Sequence, residues 1–347
     1  MRSSRREGWL YARFQKNSLM EFLAHLIEAL RAHPNVAEKL NILAAYAPTL
    51  GVAGGVEVGD DAAAIPDGSG YLLFAAEGMM EAFIERDPWF AGYSAVMVNL
   101  SDIAAMGGVP TAVVDVMWTH PESPLAAEIW QGMQAASTAY GVPIVGGHTT
   151  RFQKDRVPLL AAAVVGRAQR LISSFDARPG DTLLMAVDLR GTYRWEGSLC
   201  WNASVGSPPE RLQADMRLLS ELAEEGLVTA GKDISNGGVL GTLAMLCATS
   251  RCGAQVNIDA IPKPPEAELL HWLVSFPSYG YLLAVRAEHT EETRDRFQER
   301  GIACEAIGTF GPAVAEAISH PIILRWQGAQ QLFADVVSPP GPRSGGW

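Results

Sequence analysis

Two polar residues interrupt a stretch that is otherwise apolar, between residues 91 and 110. Asn99 and Asp102 are three residues apart, so a helix places both side chains on one face. Apolar residues recur at three- and four-residue spacings, which predicts a helix that ends at Gly107-Gly108, before Pro110. A helix this apolar is expected to be buried, and a buried Asn–Asp pair needs partners. The pair can belong to a site or cap a neighbouring loop, and this stretch alone leaves both interpretations open.

Two further motifs flank the helix in sequence. Asp60 and Asp61 follow Gly59 between short apolar runs, a pattern that in isolation is more typical of a turn than of a site. Residues 142–145 predict an apolar strand, and the polar, glycine-rich run Gly146-Gly147-His148-Thr149-Thr150 predicts a loop after it. Each of these motifs is weak alone, so their order along the chain carries the argument.

In this order, the three motifs resemble the nucleotide-binding domain of the AIR synthase-like superfamily. That group includes AIR synthase, thiamine-monophosphate kinase, selenophosphate synthetase and the hydrogenase-maturation carbamoyl dehydratase. The motifs are most similar to those of thiamine-monophosphate kinase. The matching motifs are GDDAA, then NLSDIAAMG, then Gly-Gly followed by Thr-Thr. The resemblance covers about residues 55–335 and is more specific in its first half.

The resemblance implies an α+β protein with two domains: a first, dimerising sheet with helices, and a second α+β sandwich. An N-terminal helical arm at 1–50 is expected to precede the ATP- and Mg²⁺-binding domain at 51–168. The second domain is expected at 169–336, after which a Pro/Gly-rich tail at 337–347 is expected to be disordered. Strand-like and helix-like segments alternate along the chain, and the turn at 178–181 resembles the family's entry into the second domain.

The expected arm has no clear counterpart in the resemblance. Residues 18–31 are amphipathic and predict a helix, a second helix is predicted over about 36–46, and we expect the arm to pack against the first domain or a partner subunit. The following run 51–55 is glycine-rich, but it lacks the Gly-Lys-Ser/Thr ending of a P-loop and is better interpreted as a flexible linker.

One segment of the second half contains candidate residues for catalysis or ligand binding. Asp233 opens the run Asp-Ile-Ser-Asn-Gly-Gly, and a helix is predicted over 240–249. In any protein such a run serves as a helix cap with an exposed backbone. The superfamily has a similar run at a helix start, which makes Asp233, Gly237 and Gly238 site candidates. Lys232 beside it is a possible phosphate contact, although a solvent-facing lysine is the slightly favoured interpretation.

The candidate residues are all suited to oxygen chemistry. Mg²⁺ prefers oxygen ligands and shares them with substrate phosphates. Converging carboxylates repel one another, so they imply a metal or strongly raised pKa values. The expected metal ligands are Asp60, Asp61, Glu77, Asp102 and Asp233, of which Asp102 and Asp233 are also the catalytic candidates. The expected ATP-binding residues are Asn99, Gly146, Gly147, Thr149, Lys232, Gly237 and Gly238, whose glycines let backbone N–H groups approach phosphate.

The chain departs from thiamine-monophosphate kinase in three places, the last two of which weaken the assignment of thiamine monophosphate as substrate. Ala75-Ala76 precede Glu77, where those kinases have two threonines and an aspartate. His148 replaces the acidic residue after Gly-Gly, and imidazole is a poor Mg²⁺ ligand, although a structural histidine is equally compatible. Residues 278–281 are Ser-Tyr-Gly-Tyr, where those kinases have an acidic pair near the second substrate.

Composition excludes several other classes of protein. The 347 residues carry a net charge of −11 with no basic stripe, so nucleic acid is not an expected partner. The four cysteines form no Cys-x-x-Cys pair, which argues against zinc and suits a reducing, cytoplasmic location. No apolar run is long enough to span a membrane. Family members pair their first domains, so we expect a homodimer.

Three functions remain open at this point. The first is ATP- and Mg²⁺-dependent phosphoryl transfer to an oxygen of a small metabolite, as in thiamine-monophosphate kinase. The second is an AIR synthase-like ligase or dehydratase that activates an amide oxygen by phosphorylation. The third is a catalytically inactive nucleotide-binding regulator, for which His148 is the main support and against which the retained carboxylates argue. The acceptor is not identified by the sequence.

Overall fold

The computed structural model describes residues 4–45, 57–154, 156–311 and 319–337. The predicted linker at 51–55 and nearly all of the predicted tail at 337–347 lie outside these residues. In the first half of the chain the helices and strands are α1 (Ser4–Ala32), α2 (Pro34–Ala45), β1 (Ala63–Asp67), β2 (Gly70–Met79), α3 (Glu81–Arg86), α4 (Pro88–Ala105), β3 (Val109–Thr119), α5 (Pro124–Tyr140), β4 (Ile144–Arg151) and β5 (Leu159–Ala168).

The second half adds a larger sheet and two short 3₁₀ helices at 258–260 and 287–289. Its helices and strands are β6 (Thr182–Val187), β7 (Thr192–Tyr193), β8 (Cys200–Asn202), α6 (Pro209–Glu225), β9 (Ala230–Asp233), α7 (Gly238–Ser250), β10 (Gly253–Asn257), α8 (Leu269–Val274), β11 (Phe276–Pro277), β12 (Gly280–Val285), α9 (Thr290–Gln298), β13 (Ala303–Gly311), β14 (Ser319–Trp326) and β15 (Ala329–Val337).

The first sheet has five strands in the order β1-β2-β5-β3-β4. One face packs on α4, which in turn packs on α5, and this face buries alternate residues such as Leu73 and Ala75. The register of the strands places a set of exposed apolar side chains together on the opposite face. They are Ile65, Phe74, Val114, Trp118 and Leu159.

Helix α4 is buried along almost its whole length, as its apolar sequence predicts. Asp87 caps its first turn by accepting a hydrogen bond from the Phe90 N–H at 2.9 Å. The helix packs closely on α5 because Gly92 and Gly132 carry no side chains: a Cβ on either would lie 2.0 Å or less from a carbonyl oxygen of the other helix. The helix ends at Ala105, before the predicted glycine stop.

The second sheet has seven strands in the order β15-β14-β10-β13-β6-β12-β9, and a small three-stranded sheet, β11-β8-β7, lies beside it. Strand β6 begins directly after the predicted turn at 178–181. Edge strand β9 and helix α6 both contact α4, so the helix of the first half lies against the second. The hydroxyl groups of Ser101 on α4 and Tyr281 on β12 are 3.2 Å apart across this interface.

The N-terminal arm forms the two predicted helices, but the expected packing against the first domain was wrong. Leu23, Ile27 and Leu30 are buried in the core of the seven-stranded sheet, and the Arg31 Nε donates to the carbonyl oxygen of Phe333 on β15. Helix α2 packs on α7. An amphipathic helix specifies that one face is buried and not which surface covers it, so the sequence could not distinguish these partners.

The run of glycines at 146–147 also differs from its prediction. It continues β4 as a strand, parallel to β3, instead of forming a loop. A Cβ on Gly147 would lie 2.2 Å from the Asp115 Oδ1, so glycine is required there by the neighbouring buried side chain. Within the described residues, no helix has the length and apolar character needed to cross a membrane. The four cysteine side chains are buried free thiols.

Candidate functional site

Asp60 and Asp61 lie just before β1 and meet the second half of the chain. The Ser174 N–H donates to the Asp60 Oδ2 at 2.7 Å, and the Asp233 N–H donates to the Asp61 Oδ2 at 3.3 Å. The Lys232 ammonium donates to Asp61 and lies 3.8 Å from the Asp60 Oδ1. The predicted adjacent carboxylates therefore lie at the junction of the two sheets.

Lys232 is buried, with 3% of its side chain exposed, so the favoured interpretation of a solvent-facing lysine was wrong. Burial acts to lower the pKa of Lys232, but the Asp61 and Asp60 carboxylates outweigh burial and raise it above the ordinary lysine value. Burial raises the pKa of Asp60 to about 6, with Lys232 opposing the shift and Asp61 adding to it. One buried ammonium thus only partly compensates two buried carboxylates.

Three further acids extend this group. Asp233 lies at the end of β9. Burial, and after it the neighbouring Asp61 carboxylate, raise the pKa of Asp233 to about 8. Burial raises the pKa of Asp102 well above its ordinary value, and Asp233, Asp61 and Glu77 add to the shift. Desolvation and Asp61 also raise the pKa of Glu77, which lies at the more open end of β2. The five predicted metal ligands therefore influence one another electrostatically.

A cavity of about 310 Å³ opens next to these acids, between the two halves of the chain. Asp102, Asp233 and Glu77 line one part of it, together with Ser235 and Asn236. The remainder is mainly apolar and is lined by Met79, Met80, Phe83, Met97, Phe276 and Pro277. A small cavity with a polar end and an apolar wall is typical of a small-molecule site.

Asn99, the partner of Asp102 in the helix motif, has a different environment. It is fully buried, and its side-chain amide donates to the carbonyl oxygens of Ala95 at 2.8 Å and Ala162 at 3.3 Å. The bond to Ala162 ties α4 to β5, whereas the bond to Ala95 lies within the helix. Of the polar pair, only Asp102 lines the cavity.

Gly237 and Gly238 lie at the start of α7, beside the cavity-lining residues 235–236. Their φ angles are +109° and +63°, a region that favours glycine. A Cβ on Gly238 would lie 2.2 Å from the Leu273 carbonyl oxygen, and the Gly238 N–H donates to the Ser235 carbonyl oxygen. Conformation and packing thus account for Gly238 without a phosphate contact.

Gly146, Gly147 and Thr149 lie apart from the acids. Their strand β4 is separated from Glu77 on β2 by β5 and β3, three strand spacings or about 14 Å. His148 is exposed, and its register with Val116 places it on the apolar outer face of the sheet. None of these four residues lines the cavity.

The donor set matches Mg²⁺ in chemistry, although the side chains form no closed cage. Within the described residues, no three histidine, cysteine or acidic side chains are grouped closely enough to hold a metal ion on their own. Protein-bound Mg²⁺ commonly takes one or two carboxylates and completes its shell with substrate phosphates and water. Asp102 and Asp233, which face the cavity with raised pKa values, fit such a shared site.

Lys39 and Ser94 are among the cavity residues that sequence reasoning missed. Ser94 is buried, and its hydroxyl has no hydrogen-bond partner. It precedes Val98, Ser101 and Asp102 by four, seven and eight residues, so helical periodicity from Asp102 could have identified it. Lys39 lies on α2, outside the region of the resemblance, and no motif marks it.

Comparison with known proteins identifies the family. The N-terminal domain of AIR synthase related protein matches residues 59–168, and the C-terminal domain of AIR synthase related protein matches residues 197–319. The chain therefore belongs to the AIR synthase related family, and the superfamily resemblance is confirmed. Helices α1 and α2 precede both matched regions.

Two curated relatives differ in how much of their length is matched. An uncharacterized protein of Synechocystis sp. is 47% identical over 285 residues, which cover 82% of this chain and 86% of the relative. A phosphoribosylformylglycinamidine synthase subunit PurL of Rhodopseudomonas palustris is 26% identical over 310 residues, which cover 82% of this chain and 41% of that subunit.

Solved structures support the same fold. T. maritima PurL complexed with ADP matches with a TM-score of 0.68 and 19% identity, covering 94% of this chain and 54% of that chain. This chain thus spans about half of that PurL. ThiL (AaThiL) complexed with AMPPCP and TMP matches with a TM-score of 0.60 and 18% identity, covering 78% of this chain and 88% of that chain. The predicted α+β class with two AIR synthase-like domains is confirmed.

Proposed function

We propose that the protein binds ATP with Mg²⁺ in the cavity between its domains and transfers a phosphoryl group to an oxygen of a small-molecule acceptor. The observation that carries this proposal is that Asp102 and Asp233, from opposite domains, line one cavity with raised pKa values. Buried carboxylates that raise one another's pKa values gain most from a bound cation. The nucleotides held by the PurL and ThiL structures support ATP as the phosphoryl donor.

In this proposal the site residues position the reactants and balance their charge, because phosphoryl transfer requires little else from a protein. Bound Mg²⁺ would supply positive charge at the phosphate oxygens. Asp102 on α4 and Asp233 on β9 would hold it from two sides of the cavity, with Glu77 at the more open end. Asp61, which accepts from both Lys232 and the Asp233 N–H, keeps Asp233 in place.

The apolar wall of the cavity is suited to the body of the acceptor. Met79, Phe83 and Phe276 present apolar surface beside the acids. Tyr279, where an acidic residue was expected, donates its hydroxyl to the Asp215 carbonyl oxygen and is buried away from the cavity. We therefore propose an acceptor other than thiamine monophosphate.

We also propose a homodimer formed through the first sheet. Its outer face exposes Ile65 and Phe74 on neighbouring strands, with Trp118 further along the same face, and an exposed apolar face of this kind marks an interaction surface. A second copy is the occupant that we favour. The family domain matched to residues 59–168 contains this sheet, and members of the family are expected to pair through that domain. His148 would then lie at the interface between the copies.

A second candidate function is ATP-dependent activation of an amide oxygen, as in AIR synthase-like ligases and dehydratases. The likeness to PurL, a synthase subunit that is 26% identical over most of this chain, favours it. The experiment that separates the candidates is a screen of phosphate-, hydroxyl- and amide-bearing metabolites with Mg·ATP, followed by ³¹P NMR. A phosphorylated acceptor formed with ADP supports the first candidate, and free phosphate formed with a new C–N bond or a nitrile supports the second. Nucleotide binding without turnover of any compound would refute both and favour a regulatory role.

A further inference from the structure

Helix α2 of the N-terminal arm contributes a cation to the cavity. The stem of Lys39 crosses the start of α7, where a Cβ on Gly237 would lie 2.9 Å from the Lys39 Cγ. A Cβ on Gly241, one turn further along, would lie 3.5 Å from the same atom. The two glycines thus leave a path along which the lysine stem reaches the cavity, which Lys39 lines beside Glu77 and Asp233.

Lys39 and Lys232 differ in what their ammonium groups can do. Lys232 is buried against Asp61 and Asp60 and does not line the cavity. Lys39 is half-buried and forms no ion pair with another residue in the described parts of the chain. Among the described residues that line the cavity, it is the one cationic side chain, opposite three acids.

Electrostatics place the Lys39 ammonium near the acids without fixing it on any of them. It acts to lower the pKa of Glu77 and of Asp233, while burial raises both. An ammonium that is near several carboxylates, but bound to none, retains its hydrogen-bond donors for a ligand. A polyanionic ligand also needs such a group, because the acids repel it wherever no metal intervenes.

We propose that Lys39 binds the phosphate chain of the nucleotide, so that the N-terminal arm is part of the active site. The proposal rests on the proposed function for the identity of the nucleotide, but the phosphate contact is tested separately from it. It assigns to Lys39 the role that the sequence suggested for Lys232. It also gives a function to an arm that precedes both matched family domains.

The test is a calorimetric measurement of ligand affinity for the full chain and its variants. The probes are Mg·AMPPCP, Mg·tripolyphosphate and adenosine, which carries no phosphate. Lys39→Met keeps an unbranched stem over the glycines and removes the charge, and Lys39→Arg keeps the charge. Lys154→Met is the matched control, because Lys154 forms an exposed ion pair with Glu122 and does not line the cavity.

We expect Lys39→Met to lower the affinity for Mg·AMPPCP and Mg·tripolyphosphate by about ten- to a hundredfold, which corresponds to the loss of one charge-assisted contact. The affinity for adenosine should be unchanged. Lys39→Arg should recover most of the loss, and Lys154→Met should match the wild type. Lys39→Gln repeats the test if Lys39→Met lowers the melting temperature.

Three results would overturn the assignment, and a fourth would separate it from the proposed nucleotide. Equal affinities in wild type and Lys39→Met, or an equal loss for adenosine, would make Lys39 a structural counter-ion. Lys39-dependent binding of Mg·tripolyphosphate, without binding of AMPPCP, would support Lys39 and refute the proposed nucleotide. Binding of neither phosphate compound by the wild type would refute both proposals.

Discussion

The Lys232 ammonium donates a hydrogen bond to Asp61, and this buried ion pair joins the two sheets. Asp61 lies just before β1 of the five-stranded sheet, whereas Lys232 lies on β9, the edge strand of the seven-stranded sheet. Since Asp61 also accepts the Asp233 N–H, the pair fixes the end of β9 against the first domain. The ion pair therefore contributes to the stability of the protein and also holds Asp233 in its place beside the cavity.

Lys232→Met is expected to destabilise the protein by about 3–5 kcal/mol, because it leaves the buried Asp61 and Asp60 carboxylates without their cation. Urea denaturation measures the free energy of unfolding. Adding Asp61→Asn to Lys232→Met should restore part of the loss, since the amide needs no counter-ion. Lys154→Met, which breaks an exposed pair, should change stability by about 0.5 kcal/mol or less. A loss of that small size in Lys232→Met would show that the pair does not support the fold.

The metal-free protein is expected to lose stability as the pH rises from about 4 to 8. Burial raises the pKa of Asp60 to about 6 and of Asp233 to about 8, above the ordinary aspartate value, so the folded state holds more protons than the unfolded state in this range. The free energy of unfolding then falls by up to about 1.4 kcal/mol per pH unit for each such group. Lys232, whose pKa is raised, contributes a loss only above its ordinary value and outside this window.

Asp233→Asn should make that decline shallower between pH 6 and pH 8, because it removes the contribution of Asp233 and leaves those of Asp60 and Asp102. Glu128→Gln, on the exposed side of α5, is the control and should reproduce the wild-type profile. Chemical denaturation in EDTA at several pH values provides the measurement. An Asp233→Asn profile as steep as the wild type would show that Asp233 is ionised in the folded protein throughout this range.

The proposed dimer predicts that one charge on the outer face of the first sheet separates the copies. Phe74 is 49% exposed in the chain, so Phe74→Asp should leave the monomer fold intact while placing a carboxylate in the shared apolar face. Size-exclusion chromatography with light scattering should report a dimer for wild type and a monomer for the variant at micromolar concentration. Val337→Asp, at a similarly exposed position of the second sheet, should remain dimeric. A monomeric wild type would refute the dimer.

Local patterns predicted the elements that bear the site. The apolar periodicity of α4 and the glycines after it predicted a buried helix that ends close to the observed end at Ala105. These features depend on residues close together in sequence, where backbone geometry leaves few alternatives. The position of Asp102 on a buried helix follows from such patterns, and so does the helix that comes after Asp233.

Contacts between distant segments were not predictable from the same patterns. Lys232 is buried only because Asp61, 171 residues away in sequence, provides its counter-ion. The arm packs on the second sheet because that surface is available in three dimensions, and Gly147 continues a strand because β3 pairs with it. Lys39 illustrates the limit well: it is one of five lysines in the chain, yet only the fold brings it to the cavity.

The last prediction concerns Asp102, which lines the cavity from an otherwise apolar helix. Asp102→Asn keeps the shape of the side chain and removes one anionic ligand. If Asp102 holds Mg²⁺ against ATP, the lost charge-assisted contact is worth about 1.5–3 kcal/mol, so the affinity for Mg·ATP should fall by about ten- to a hundredfold. The metal-free protein should be as stable as the wild type or more stable, because Asp233, Asp61 and Glu77 all disfavour the Asp102 carboxylate.

Thermal unfolding of wild type and Asp102→Asn, each with and without Mg·AMPPCP, separates a ligand from a structural residue. A metal ligand gives a variant with an unchanged or raised melting temperature and a much smaller shift on adding nucleotide. Asn99→Ala is the matched comparison on the same helix. Its amide bonds the Ala95 and Ala162 carbonyl oxygens, so it should lose stability and keep its nucleotide-induced shift. Equal nucleotide-induced shifts in wild type and Asp102→Asn would place Asp102 with Asn99 in the scaffold, and the metal would then have to be held by Asp233 and Glu77.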